Sequence, residues 1–339
     1  MKKNINKITI KTKKSLSAKD YFDGIQKSNR AILSKAITLI ESSNPKHQSV
    51  AEELIELCLP FSGNSVRIGI TGVPGVGKST FIEALGSYLI AEKDKKIAVL
   101  AIDPSSKKSY GSILGDKTRM NKLSVNNNAF IRPSPSSGKL GGVAKATRET
   151  TILCEAAGYD TILIETVGVG QSEIEVKSMV DFFLLLMLAG AGDELQGIKR
   201  GIMEIADAVI INKADNDNIH NAKMAVREYK NALHLFPAND NGWISRVTSC
   251  SAIEDKEIDS VWRIVESFVN QTTLNNSFTE NRKEQAKFWL EHAINSSLMT
   301  LFYSDEKVKA QLLKLEENVS EGKTSPFKAA KELLLTFKS

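Results

Sequence analysis

Apolar residues follow different patterns along the chain, and these changes divide it into three parts. From Ala18 to about Cys58 they recur at helical spacing, as in NRAILSKAITLIES. Five later runs are rich in Val, Ile and Leu with little polar alternation: VRIGITG, KIAVLAID, YDTILIET, DFFLLLML and DAVIINK. After about Thr272 helical spacing returns through EQAKFWLEHAINSSLMTLF, EKVKAQLLKLEENV and SPFKAAKELLLTF.

The five central runs are typical of parallel strands that are buried on both faces. Helical patterns such as KSTFIEALGSYLIAEK separate them, which predicts an α/β fold with a parallel central sheet flanked by helices. We predict a tail and helical segment over residues 1–60, the α/β domain over 61–272 and a C-terminal helical extension over 273–339. A loop rich in Pro, Ser and Gly, RPSPSSGKLGG from Arg132, is predicted inside the α/β domain.

The formal net charge of +5 is concentrated at the N-terminus. The first twenty residues hold seven lysines and one aspartate, a balance of +6 that leaves −1 for the remainder. We interpret this tail as a solvated N-terminus and predict no nucleic-acid partner, since the body lacks the basic excess that phosphate binding favours. The longest apolar run, FFLLLMLA, is far shorter than the ~20 residues of a membrane span. Three widely spaced cysteines and no signal sequence predict a cytoplasmic protein.

A phosphate-binding loop is predicted where the first strand meets the first central helix. The segment GVPGVGKS matches the pattern G-x-x-x-x-G-K-[ST] in full, and the strand before it and the helix after it provide the expected context. Backbone N–H groups would surround the phosphates, Lys78 would reach the β- and γ-phosphates, and the Ser79 hydroxyl would bind Mg²⁺. The predicted phosphate-binding residues are Gly72, Val73, Pro74, Gly75, Val76, Gly77, Lys78, Ser79 and Thr80.

The base that is bound follows from the segment NKAD, which ends the strand DAVIINK. A carboxylate at Asp215 accepts two hydrogen bonds from guanine N1–H and the N2 amino group, which adenine does not offer. The segment CSA, after another short apolar run, suits a loop that closes over the base. We therefore predict binding of GTP and GDP through Asn212, Lys213, Asp215, Ser251, Ala252 and Ile253.

Two acidic residues are predicted on the metal side of this site. Asp103 ends the predicted strand AVLAID and Glu165 ends DTILIE, and the carboxyl ends of parallel strands meet at one edge of a sheet. Mg²⁺ keeps several waters in protein sites, so the longer Glu165 can act through water. For Asp103 the alternative is a helix cap before Pro104. The predicted catalytic residues are Lys78, Glu165 and Asp103, and the predicted Mg²⁺ site comprises Ser79, Asp103, Asp116 and Glu165.

Two glycine-flanked polar segments, GDKTRM from Gly115 and GAGDELQGIKRG from Gly190, allow two interpretations. Either they are ordinary solvated loops, or they respond to the nucleotide. In the second case Asp116 is a candidate metal ligand, and Asp193, Glu194 and Lys199 face a partner.

Taken together, these motifs resemble the methylmalonyl-CoA mutase-associated GTPase chaperones, the MeaB/ArgK family of SIMIBI-class P-loop GTPases. The resemblance runs from about residue 30 to the end, through GVPGVGKSTF, AIDPSS, ILGDKTRM, ETVGVGQSE, AGAGDELQGIKRGIMEIADAVIINKAD and EQAKFWL. It implies a P-loop NTPase fold with a C-terminal dimerisation arm, slow GTP hydrolysis and a homodimer. It also implies that Asp103, Asp116 and Glu165 surround Mg²⁺.

The same resemblance implies a client, an adenosylcobalamin-dependent acyl-CoA mutase such as methylmalonyl-CoA mutase. Family members gate the loading of that cofactor and protect or reactivate the mutase. Three switches are implied around residues 105–120, 166–175 and 190–200. Ala189 departs from the family, which commonly has Pro before Gly-Ala-Gly, and this bears on the stiffness of the third switch.

Two other functions remain as alternatives. Some members of the family have been named kinases of amino-acid (LAO/AO) transport systems, but an ATP-using kinase does not need the guanine-selective Asp215. A GTPase that inserts nickel into enzymes would need soft or imidazole ligands. The four histidines here are scattered, and no Cys lies beside them.

Overall fold

The computed structural model describes residues 16–42, 44–102, 120–133, 140–166, 173–190, 200–237 and 239–338. The chain divides into two compact units, Met1–Phe278 and Thr279–Ser339. The three-part division by sequence pattern stays a prediction. Among the described residues, none of the helices is both long and apolar enough to cross a membrane.

A seven-stranded sheet forms the centre of the first unit, and all of its neighbouring strands run parallel. Its strands are β1 (Val66–Gly72), β2 (Ile97–Ile102), β3 (Ala129–Arg132), β4 (Thr161–Thr166), β5 (Phe182–Leu188), β6 (Ala208–Asn212) and β7 (Arg246–Ser249). Their order across the sheet is β3-β2-β4-β1-β5-β6-β7. All five predicted strands are present, and every side chain from Phe182 to Met187 is fully buried.

Helices precede the sheet, flank it and form the second unit. In the first unit they are α1 (Ala18–Gln26), α2 (Arg30–Ile40), α3 (Pro45–Cys58), α4 (Lys78–Lys93), α5 (Asn121–Val125), α6 (Leu140–Ala156), α7 (Glu173–Lys177), α8 (Arg200–Ile205), α9 (Ile219–Leu233) and α10 (Ile258–Leu274). The remaining helices are α11 (Ser277–Ser304), α12 (Glu306–Ser320) and α13 (Pro326–Lys338). Short 3₁₀ helices cover Leu59–Phe61 and Asn216–Asn218.

The predicted helical region at the start of the chain consists of three capped helices. The side chains of Ser17, Asn29 and Asn44 accept hydrogen bonds from backbone N–H groups in the first turns of α1, α2 and α3. The turn after α1 is tied to the end of α6, because the Ser28 hydroxyl donates to the carbonyl oxygen of Ala157 at 2.9 Å. These helices therefore belong to the first compact unit.

One sequence prediction about a loop is wrong at its end. The segment predicted as the loop RPSPSSGKLGG begins in β3 with Arg132 and runs into α6 at Leu140, while residues 134–139 lie outside the described part. The buried face of α6 includes Thr147, Thr150 and Thr151. Polar threonines on the buried face weaken the apolar pattern by which a helix is predicted, so packing on the sheet decides the structure here.

The second unit has a small apolar core of its own. Val308 and Leu315 of α12 pack with Ala329 and Leu333 of α13. The predicted helical spacing in the last part of the chain is therefore realised as helices.

Candidate functional site

The phosphate loop lies between β1 and α4, and close packing dictates its glycines. A Cβ atom at Gly72 would lie 2.5 Å from the carbonyl oxygen of Leu186 on β5, which is too close for any side chain. Gly77 has a φ of 91°, a conformation that L side chains rarely adopt, and a Cβ atom there would lie 3.1 Å from Nδ2 of Asn212. Glycine avoids these close contacts at both positions, and the backbone can therefore turn sharply from the strand into the helix.

Lys78 folds back over the loop that it follows. Its Nζ donates to the carbonyl oxygen of Gly72 at 2.9 Å. Burial lowers the pKa of Lys78, and the nearby carboxylate of Glu165 opposes that change. A bound phosphate would add negative charge beside the ammonium group and favour its charged form.

Glu165 is the penultimate residue of β4, on the same edge of the sheet, and faces the first turn of α4. The Ser79 hydroxyl lies 3.5 Å from Oε1 of Glu165, and the Glu165 residue is 8% exposed. A hydroxyl and a carboxylate are oxygen ligands of the type that Mg²⁺ prefers, so this pair fits such an ion. The other two predicted ligands, Asp103 and Asp116, lie outside the described residues.

Asn212 is the last residue of β6 and the first of the NKAD segment. Its side chain joins this strand end to the phosphate loop and to the loop after β7. Its Nδ2 donates to the carbonyl oxygen of Val76 in the phosphate loop at 2.8 Å, and its Oδ1 accepts from the backbone N–H of Ala252 at 3.2 Å. Nζ of Lys213 donates to the carbonyl oxygen of Gly75 at 2.8 Å. The sequence assigned Asn212 and Lys213 to base binding, and it carried no signal for their two links to the phosphate loop, each between positions more than 130 residues apart.

Asp215 and the segment 251–253 come together beside that strand. The buried Ser251 hydroxyl donates to Oδ2 of Asp215 at 2.7 Å and accepts from the backbone N–H of Glu254 at 3.3 Å. Asp215 itself is partly exposed, and the Ile253 side chain is 76% exposed. An oriented carboxylate next to an exposed apolar side chain can hydrogen-bond one edge of a base and cover its face.

The structure thus brings together the predicted phosphate residues 72–80, Glu165, Asn212, Lys213, Asp215 and Ser251, Ala252 and Ile253 at the carboxyl ends of the strands. The residues predicted to face a partner, Asp193, Glu194 and Lys199, lie outside the described part. Of the three implied switches, the described residues include Met120 in the first, Thr166 and the start of α7 in the second, and Gly190 and Arg200 in the third.

Comparison with known proteins decides the family of the chain. A family model described as Methylmalonyl Co-A mutase-associated GTPase MeaB matches residues 33–307. This chain belongs to the MeaB family. It is therefore a GTPase that binds guanine nucleotides, and the resemblance inferred from its motifs is confirmed.

Relatives of this MeaB-family GTPase come from distant organisms. A probable GTPase of Mycobacterium tuberculosis is 49% identical over 306 residues, covering 90% of this chain and 91% of the relative. GTPase ArgK of Escherichia coli is 47% identical over 282 residues, covering 83% and 85%. The mouse (Mus musculus) protein named Methylmalonic aciduria type A homolog, mitochondrial, is 43% identical over 328 residues, covering 94% and 79%.

A solved structure described as an LAO/AO transport system kinase shares the fold. It superposes with a TM-score of 0.75 at 36% sequence identity, covering 95% of this chain and 98% of its own. The predicted P-loop α/β fold with its parallel sheet and its helical first and last segments is thus confirmed.

Proposed function

We propose that this GTPase binds GTP and GDP along the edge formed by the carboxyl ends of β1, β4 and β6. The phosphates would contact residues 72–80, and guanine would contact Asp215 and residues 251–253. The orientation of the Asp215 carboxylate by Ser251 supports this placement of the base. The hydrogen bonds from Asn212 and Lys213 to the phosphate loop support a single site, because they join its two halves.

Hydrolysis in this proposal depends on charge and positioning. Lys78 would bind the phosphate oxygens as their negative charge is redistributed, while Ser79 and Glu165 would hold Mg²⁺ together with Asp103 and Asp116. The ion, when bound, neutralises phosphate charge. The approach of the Ser79 hydroxyl to Oε1 of Glu165, at 3.5 Å, supports a metal role for Glu165, and no side chain of the sequence is an obvious fast general base for water. Slow intrinsic turnover is the expected consequence.

The proposed client is an adenosylcobalamin-dependent acyl-CoA mutase such as methylmalonyl-CoA mutase. The observation that carries this proposal is the family match over residues 33–307, since the family is described by its association with that mutase. We propose that the nucleotide state gates the loading of adenosylcobalamin and that the GTPase protects or reactivates the enzyme. The partner-facing residues would be Asp193, Glu194 and Lys199.

Cobalamin loading provides the test of this client. Transfer of adenosylcobalamin into the apo-mutase is followed by absorbance, with the GTPase bound to GDP or to a non-hydrolysable GTP analogue. We expect different transfer rates in the two nucleotide states. If the transfer rates in the two nucleotide states are equal to each other and to the rate without the GTPase, the proposed client is wrong.

We also propose a homodimer formed through α11. Leu290, Ile294, Leu298 and Leu301 are each at least half exposed. Their spacing of four, four and three residues places them on one face of this 28-residue helix. A continuous apolar stripe of this length marks an interaction surface. A second copy of the helix offers a matching stripe.

The alternative function is that of a kinase for an amino-acid transport system, because a solved structure with this fold is described as an LAO/AO transport system kinase. The two functions differ in nucleotide and product. A transport kinase would consume ATP and transfer phosphate to a protein, whereas the proposed GTPase releases inorganic phosphate from GTP.

A further inference from the structure

The backbone pairing of β1 with β4 stops at the edge of the nucleotide site. The two strands pair in register as far as Ile70 opposite Glu165. Each strand continues further on its other side, since β1 pairs with β5 as far as Gly72 and β4 pairs with β2 as far as Thr166. β1 and β4 therefore cease to pair where one enters the phosphate loop and the other has just presented Glu165.

A side-chain hydrogen bond spans the strands where the backbone pairing ends. Oγ1 of Thr166 donates to Oγ1 of Thr71 at 2.8 Å, and both residues are fully buried. Because side chains alternate along a strand, Thr166 lies on the opposite face of the sheet from its neighbour Glu165. The hydroxyl pair therefore joins the two strands without occupying the face on which Glu165 meets Ser79.

We propose that the hydrogen bond between Thr71 and Thr166 is a positioning element for GTP hydrolysis. It sets the separation of β1 and β4 at their carboxyl ends and so holds Glu165 at its distance from Ser79. Thr71 and Thr166 are positioning residues that act through Glu165. The inference rests on the proposed role of Glu165 and Ser79 as Mg²⁺ ligands.

Contact distances give the size of the effect. The two hydroxyl oxygens are 2.8 Å apart, whereas carbon atoms that are not bonded pack at about 3.5–4.0 Å. Valine at both positions would place methyl groups where the oxygens are, and the strand ends would separate by roughly 1 Å. A misplacement of about 1 Å is enough to slow a reaction by on the order of 10²-fold. The halves of the nucleotide site joined by Asn212 would remain joined, so GDP binding without metal is expected to persist.

The test compares Thr71→Val, Thr166→Val and the double variant with Thr161→Val. Thr161 is a matched control because it is buried on the same strand and its hydroxyl donates to Oδ1 of Asp160 at 2.9 Å, at the other end of β4. The measurements are kcat for GTP against Mg²⁺ concentration, Mn²⁺ affinity of the GDP-bound protein by electron paramagnetic resonance, GDP affinity in chelator, and urea unfolding. We expect kcat to fall by about 10–10²-fold in the double variant, with weaker Mn²⁺ binding and unchanged GDP affinity in chelator.

Stability separates a positioning role from a merely structural one. Each single valine leaves one buried hydroxyl without its partner, whereas the double variant removes both, so the double variant is expected to recover stability lost by the single ones. Hydrolysis and Mn²⁺ affinity should stay low in the double variant. Thr166→Ser keeps the hydroxyl and should keep the wild-type kcat and Mn²⁺ affinity. If Thr166→Val fails to fold, Thr71→Val, which removes the same hydrogen bond, is compared with Thr166→Ser. Hydrolysis and Mn²⁺ binding in the double variant equal to those of Thr161→Val would overturn the proposal.

Glu165→Gln distinguishes a failure of this inference from a failure of the proposed site. If it lowers kcat and Mn²⁺ affinity while the threonine variants do not, the hydrogen bond is structural and the site stands. If Glu165→Gln changes neither quantity, the proposed metal role of Glu165 is wrong, and the positioning role of the threonines is refuted with it.

Discussion

Replacing Asn212 by Ala should damage both folding and nucleotide binding, because this one side chain joins three segments. Asn212 is 1% exposed and bonds the carbonyl oxygen of Val76 and the backbone N–H of Ala252. The alanine variant leaves both of these backbone groups without that partner in a buried region. Each such group costs about 1–3 kcal/mol, so we expect the free energy of unfolding to fall by roughly 2–6 kcal/mol.

The same substitution should weaken GDP binding. The link from Val76 to Asn212 fixes the phosphate loop against the end of β6, just before Asp215, and the contact from Lys213 to Gly75 remains. Loss of one net hydrogen bond of about 0.5–1.5 kcal/mol corresponds to roughly a 2- to 10-fold loss of affinity. Urea unfolding without nucleotide and calorimetric titration with GDP measure the two effects separately.

Asn218→Ala is the matched control for this experiment. The Asn218 amide also donates to a backbone carbonyl oxygen, that of Lys213 at 2.8 Å, but the bond is exposed and water can replace it. We expect a change within about 0.5 kcal/mol for this variant. Equal destabilisation by the two substitutions, or unchanged GDP affinity in Asn212→Ala, would refute the reasoning that Asn212 joins the halves of the site.

Three further predictions concern base selection, assembly and pH. Asp215→Asn should weaken GTP binding and favour xanthosine triphosphate, whose 2-oxo group needs a donor; competition titrations that show equal wild-type affinity for ATP and GTP would contradict the assignment. Ile294→Lys should convert the proposed dimer to a monomer in light scattering at micromolar concentration, whereas Ser296→Lys, away from the apolar stripe, should not; a monomeric wild type would remove the dimer. Burial raises the pKa of Glu155, but its hydrogen bonds from Arg67, Ser65 and the backbone N–H of Gly63 prevail and hold that pKa below 4.5. The ionised Glu155 therefore contributes to the free energy of unfolding above pH 4.5, and this contribution is lost as the pH falls through the lowered native pKa. The free energy of unfolding should fall less steeply with decreasing pH in Glu155→Gln than in the wild type. Equal slopes in the two proteins would show that this carboxylate does not contribute.

The features that sequence predicted well are local in the chain. The phosphate loop, the strand before it and the helix after it occupy consecutive positions, and the long apolar runs of β1 and β5 leave little choice of structure. β3 was not predicted, because it contains only four residues, two of them partly exposed, at the end of the sheet. Short strands at a sheet edge carry little periodic signal.

The contacts that position the site could not be read from spacing. The hydrogen bond from Asn212 to Val76 joins residues 136 positions apart, and the pair Thr71 and Thr166 is separated by 95 positions. Whether such side chains meet depends on strand order and register, which follow from the packing of the whole sheet. Sequence therefore predicted which residues carry the chemistry, and the fold was needed to show which contacts hold the described ones in place.

The most direct test of the account is GTP hydrolysis measured with and without an adenosylcobalamin-dependent methylmalonyl-CoA mutase. We expect slow release of phosphate by the GTPase alone and a clear acceleration on adding the mutase, since an external group can raise GTP turnover by ~10³–10⁵-fold in other GTPases. The variant in which Asp193 and Lys199 are replaced by Ala should retain the slow rate and lose the acceleration. A wild-type rate that the mutase does not change would contradict the proposed client.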